Sequence, residues 1–231
     1  MRLSNEMRYA IATWFHPDLE RCEATWDKNA KYLYPTSIVG EMDILVAYQA
    51  MYEGSDEPIL AYIHDDVLIT EKDWDLRVLK EFGNPSVGLV GFGGGLGHGN
   101  PQLYKIPYSP DQLYRIHFMS NLRNAEEHGR RFTGEHDVAI LDGFAIFVRK
   151  ELLDKAGGWP QNTPIGYCGY DYWICCMARR LGYRIRLVGV ACDHLGGRSV
   201  GLNPNLKADA KAVDRIIYDE FRDVLPAMVE E

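Results

Sequence analysis

The chain has 231 residues, 46% of them hydrophobic, with 33 acidic against 25 basic side chains and a formal net charge of −8. That length and apolar content suffice for one full core. The acidic balance argues against a non-specific nucleic-acid binder, and no apolar run approaches the ~20 residues that cross a bilayer. In chain order, "RYAIATW" (8–14) has the composition of a strand. Asp18 is placed to cap a helix running to about Lys31, and "KYLYPTSI" suggests a second strand interrupted by Pro35. "EMDILVAYQAMYEG" (41–54) carries Ile44, Ala47, Tyr48 and Met51 at helical spacing, with Gly54 as a stop. "PILAYI" (58–63) is a third strand, "DWDLRVLKEFG" (73–83) a helix and "SVGLVGFGG" (86–94) a fourth strand.

Strand and helix thus alternate over the first hundred residues. The pattern predicts an α/β fold with a mostly parallel central sheet flanked by helices. "GFGGGLGHGNPQLY" (91–104) is too glycine-rich for regular structure. It holds neither a GxGxxG nor the GK[ST] of a phosphate-binding loop. A flexible loop that orders over a ligand is expected there. "DQLYRIHFMSNLRNAEEHG" (111–129) reads as a helix, and 137–159 as strand, Asp-Gly break, strand and short helix. Residues 169–188 read as a helix stopped by Gly182 and followed by a strand. Residues 1–204 are expected to form a single domain, with a charged amphipathic helix in 205–231 packed on it or extending from it. The N-terminal "MRLSNEMRYA" lacks a secretory apolar stretch, so a cytoplasmic location is expected. Five cysteines without a CxxC favour buried thiols over disulfides or structural zinc.

The chemistry concentrates where apolar runs stop. "AYIHDDVLIT" (61–70) ends a strand on His64, Asp65 and Asp66, where an open α/β sheet opens its ligand crevice. Asp142-Gly143, Asp171 and Asp193-His194 are three further polar breaks beside apolar or glycine-rich sequence. Singly, each has an ordinary use as a turn former or helix cap. Jointly they offer carboxylate oxygens and imidazole, a donor set suited to Mn or Mg. They also offer a separate carboxylate able to take a proton.

The ordered set "AYIHDDV", "GLVGFGG", "LDGFAIFVRKELLDKAGGW", "GYDYWICCMARRLGYRI" and "VACDHLGG" resembles the GT-A (Rossmann-like) glycosyltransferases. It is most similar to the family-2-like group with a His-Asp-Asp triplet in place of Asp-x-Asp, over roughly residues 59–197. The resemblance implies a metal-dependent, inverting enzyme of hexosyltransferase type. A sugar would move from a nucleotide diphosphate, with UDP the expected carrier, to a hydroxyl on a glycan, protein, lipid or modified nucleobase. It places Asp66 and His194 at the metal, a divalent Mn or Mg ion. His64 falls on ribose or metal, and Asp65 near the donor sugar. Asp142, with Gly143, faces donor sugar or acceptor, and Asp171 is the catalytic base. Two departures stand out. Tyr170 replaces the glutamate of a Glu-Asp pair, and Trp173 stands where many members carry an acid, open to stacking on a sugar or packing in the core. The first strand ends "ATWFHP", which leaves Thr13 and Trp14 as candidate nucleotide contacts. Two other readings compete. One is a His-Asp phosphohydrolase built on His64-Asp65 and His136-Asp137. The other is a non-catalytic nucleotide-sugar-binding protein.

Overall fold

The computed structural model describes residues 5–13, 18–40, 43–99, 118–123, 129–166, 168–196 and 206–230. Its centre is a seven-stranded sheet built from β1 (Met7–Thr13), β2 (Thr36–Gly40), β3 (Ile59–Ile63), β5 (Val87–Gly91), β10 (Glu135–Asp137), β12 (Ala145–Arg149) and β13 (Arg184–Val188). The order is β10-β13-β5-β12-β3-β1-β2. β1, β2 and β3 run parallel, as do β5 and β13, while β12 and β10 run against their neighbours. All strands but those two therefore point one way, as the alternating sequence pattern implies.

The period of two sorts each strand onto two cores. Met7, Tyr9 and Ile11 of β1, with Ala61 and Ile63 of β3, face α1 (Leu19–Asn29) and α3 (Trp74–Phe82), where Trp26 and Trp74 fill the layer. Leu60 and Tyr62 of β3, with Ile146 and Val148 of β12, face the other way. They meet α2 (Ile44–Glu53), α4 (Lys150–Ala156) and α5 (Tyr170–Arg180). The start of α2 is fixed by Asp43, whose carboxylate accepts the Leu45 N–H at 2.9 Å. α6 (Leu206–Glu220) brings Val213 and Ile217 into the same core, against the start of α5. Gly169 is required at that contact. Its φ is 101°, and a Cβ there would stand 2.5 Å from Val213.

Three sequence expectations are corrected. The second strand starts at Thr36, after Pro35, rather than spanning the proline. Proline has no N–H for a ladder, but its carbonyl accepts the Tyr9 N–H at 2.9 Å. The glycine-rich stretch is not a flexible loop over residues 91–99. It is buried, and it forms β6 (Gly93–Gly95) and β7 (Gly97–His98). β6 lies between β11 (Ile140–Leu141) and β8 (Phe118–Ser120), with β9 (Arg130–Arg131) beyond. A Cβ on Gly94 would lie 2.2 Å from the Ile140 carbonyl oxygen, so the glycines serve close backbone approach. The helix expected over 111–129 gives way to strand β8 at residues 118–120, because β6 needs a hydrogen-bonding partner on that side. The rest of that helix is mostly outside the described residues, as is the loop expected at 100–110.

Candidate active site

β3 ends at Ile63, and His64, Asp65 and Asp66 form the turn into β4 (Val67–Ile69). β12 runs antiparallel to β3, with Ala145 opposite Ile63, so the Asp142-Gly143 turn before β12 arrives at the same end. The His64 N–H donates to the Phe144 carbonyl at 2.9 Å and fixes that meeting. β14 (Cys192–His194) pairs antiparallel with β4, His194 opposite Val67. The Leu195 N–H closes on the Asp66 carbonyl at 2.9 Å. Residues 130 positions apart in sequence thereby become neighbours by strand register alone.

The outcome is a compact donor group. One ligand atom each from His64, Asp66 and His194 lies within 4.8 Å of the others. His194 Nε2 stands 3.2 Å from Asp66 Oδ1, and the His194 ring stacks on Phe144 at 5.2 Å between centroids. Burial, and then the neighbouring His194, push the His64 imidazole down to about 4, which leaves it neutral at pH 7 with a lone pair to offer. For His194, burial opposes the charge, but the hydrogen bond to Asp66 and the carboxylates of Asp66, Asp142 and Asp65 outweigh it and raise the pKa. A site that favours a proton between an imidazole and a carboxylate also suits a cation there. Carboxylate plus two imidazoles is a donor set that Mn accepts.

Thr13, buried at the end of β1, donates its hydroxyl to an Asp65 carboxylate oxygen. Two sequence candidates for donor contacts are therefore one pair. Trp14 lies outside the described residues. Asp142 shapes its own turn. Its carboxylate accepts the Phe144 N–H at 3.2 Å, and its N–H donates to the Gly93 carbonyl of β6 at 2.9 Å.

Asp171 is in the first turn of α5 and only 8% exposed. Its carboxylate accepts the Tyr172 N–H at 2.9 Å. Burial and then the charge of Asp142 push it up to about 8, while the backbone N–H groups of Tyr172, Asp171 and Gly143 pull the other way. A carboxyl group that ionises near neutral pH is suited to receiving a proton. Trp173 is not brought to this group. It is 4% exposed and packs against Trp159 at 6.2 Å, because it is taken up by the apolar core around α5.

The sequence reading missed Tyr170. Its hydroxyl is 2.7 Å from His64 Nε2 and donates to the Gly143 carbonyl at 3.0 Å. A Cβ on Gly143 would stand 2.0 Å from that hydroxyl oxygen, so Gly143 makes the room for it. The available signal was the pairing of an Asp-Gly turn with a tyrosine where the resemblance implied an acid. The phosphohydrolase pairing is not assembled. β10, which carries His136 and Asp137, lies four strands from β3, about 19 Å at ordinary strand spacing. Asp137 is instead held by Arg184 at 2.7 Å.

Residues 31–194 match the sequence model of a glycosyltransferase-like family. This chain belongs to that family. The matched range contains His64, Asp66, Asp142 and Asp171 and ends on His194. Among solved structures, the chain resembles a mannosyltransferase from Pyrobaculum calidifontis, in complex with GDP-Man and Mn2+. The identity is 12%, the TM-score 0.56, and the match covers 92% of this chain and 70% of that one. It also resembles GalNAc-T7 with UDP, GalNAc and Mn2+, at 8% identity and TM-score 0.56, over 81% of this chain and 43% of that one. No curated protein sequence matches it significantly. The glycosyltransferase-like family, in its GT-A form, is the one that the ordered sequence blocks resembled. Among the described residues, no helix is long and apolar enough to cross a membrane.

Proposed function

We propose that the chain transfers a hexose from a nucleotide diphosphate donor to an acceptor hydroxyl with inversion, dependent on a divalent cation. The observation that carries the proposal is the His64, Asp66 and His194 group beside a separate, buried carboxyl at Asp171. His64, Asp66 and His194 would hold Mn or Mg. The ion, when bound, supplies positive charge that stabilises the departing diphosphate. Asp65, held by Thr13, would contact the donor nucleotide or its sugar. Asp142 would face the sugar or acceptor from the β12 side. Asp171 would accept the proton of the attacking hydroxyl, because an alcohol is a poor nucleophile until its proton has somewhere to go. Metal and base on different elements let attack and departure occur on opposite faces of the sugar, as inversion demands. UDP is the first carrier to test and GDP the second, since both occur with Mn2+ in the similar solved structures.

The test is a panel of UDP- and GDP-sugars with and without Mn2+, read by release of the nucleotide diphosphate and by thermal stabilisation. Mn-dependent release from one donor is the expected result. Donor binding with no release under any condition would favour a nucleotide-sugar-binding protein. Equal binding in EDTA would remove the metal from the reading. Asp66→Ala is expected to abolish the Mn-dependent part of binding.

A further inference from the structure

We infer that Tyr170 is a positioning residue of the metal centre: its hydroxyl holds the His64 ring with Nε2 protonated and leaves Nδ1 as the ligand nitrogen. The inference rests on the metal reading above. A phenol hydroxyl has one hydrogen to donate. The Gly143 carbonyl can only accept, and it takes that hydrogen at 3.0 Å. The contact with His64 Nε2 at 2.7 Å is therefore an Nε2–H donating to the hydroxyl oxygen. A neutral imidazole with its proton on Nε2 has its lone pair on Nδ1. Both hydroxyl contacts are thus accounted for by one tautomer of His64.

The arrangement is built into the fold. The Tyr170 ring meets Tyr48 edge-on at 5.5 Å and lies 6.4 Å from Trp159, so the phenol has little freedom to swing. Gly143 leaves the space that the hydroxyl occupies. The backbone of His64 is fixed separately by its N–H to the Phe144 carbonyl. With backbone and Nε2 both tied, the ring plane is set. A partner that orients a metal-binding histidine typically contributes 10–100-fold in metal affinity. The sequence departure at position 170 is in these terms a means of aiming His64.

The experiment uses full-length protein labelled with 15N-histidine and 113Cd2+ as the metal probe. A one-bond 113Cd–15N coupling at His64 Nδ1, with Nε2 still protonated, is expected. Coupling at His64 Nε2, or at His194 with none at His64, overturns the inference and leaves the metal reading standing. Failure of the protein to bind the ion with or without nucleotide removes both. In Tyr170→Phe the ring and its packing stay and only the hydroxyl goes. Its affinity for Mn2+, read from the EPR signal of the free ion, should weaken roughly 10–100-fold. An unchanged affinity in the folded Phe variant overturns the inference, since a packing role alone leaves it unmoved. Should that variant not fold, the coupling pattern of the native protein decides.

Discussion

Asp75 and Asp171 make an instructive pair. Each lies in the first turn of a helix, next to aromatic residues, and each is buried, at 0% and 8% exposure. Asp75 is enclosed by donors. It accepts the N–H groups of Lys31 at 2.7 Å and Tyr32 at 3.1 Å and the Tyr34 hydroxyl at 2.7 Å, which ties the end of α1 to the start of α3. Asp171 shares its surroundings with a second carboxylate, Asp142, and is pushed up to about 8. The first environment uses the hydrogen-bond acceptors of the side chain to join parts of the fold. The second opposes the charge, so the carboxyl keeps its proton until pH reaches about 8. Burial of an acid is thus not itself a sign of function; what faces the acid decides.

The largest expected effect separates the two in rate. Asp171→Asn keeps the shape and a hydrogen-bond acceptor but cannot take a proton. Transfer should fall about 100-fold or more, the scale for losing a general base, with donor affinity nearly unchanged. A near-native rate in the Asn variant would make Asp171 a helix cap and move attention to Asp142. Asp75→Ala should leave the turnover of folded protein close to native.

Stability should separate them in the opposite sense. Asp75→Ala leaves three donors without their acceptor, a loss of about 3 kcal/mol. That corresponds to roughly 6–12 °C in melting temperature for a chain of this size. For Asp171 the sign reverses. Its folded-state pKa is raised above the ordinary carboxyl value, so the folded state holds a proton that the unfolded chain has released. Stability contributed by this group is present below the unfolded value and declines as pH climbs to about 8. Asp171→Asn removes that decline and should melt at or above the native temperature at pH 8. A clear loss of stability at pH 8 would mean that the carboxylate supports the fold as Asp75 does.

The fold and much of this site were legible in sequence for a shared reason. Strand β3 announces itself by apolar composition, and the polar break that follows must lie at a strand end. Asp142, Asp171 and Asp193-His194 stand out as candidates by the same interruption of local pattern. What remained hidden depended on distant parts of the chain. The glycines of 91–99 signal a loop locally, yet Gly94 is there because Ile140 passes against it. The helical spacing of 111–129 could not reveal that Phe118–Ser120 is claimed by β6. Tyr170 read as a missing acid because the place of its hydroxyl needs Gly143, 27 residues earlier, to lack a side chain. Trp173 shows the converse, since an aromatic beside a candidate base is also what a buried helix face requires.

A more modest effect concerns pH. With Asp171 as the base, transfer at saturating donor should rise with pH and level off above about 8, where the carboxyl has lost its proton. Between pH 6 and 7 the rise approaches tenfold, as the ionised fraction of a single group does. The same ramp retained in Asp171→Asn would assign the titration to another group.

The smallest expected effect bears on why Asp171 and Asp142 stay together. Asp142 donates its N–H to the Gly93 carbonyl, and β6 is bounded by β8 on one side and β11 on the other. A stretch so paired is expected to hold Asp142 in place rather than to move over the site. Were it a lid, Asp142 would travel with it, and the repulsion that raises Asp171 would vary with donor binding. Glycine normally makes a chain easy to move, but here the backbone of 93–95 is paired along both edges and every residue is buried. The amides of Gly93–Gly95 should therefore resist hydrogen exchange in the free protein, and UDP with Mn2+ should change their protection little. Fast exchange that slows sharply on adding UDP would show that the stretch opens. Asp142 would then not be fixed beside Asp171 in the free protein, and the contrast with Asp75 would hold only in the donor complex.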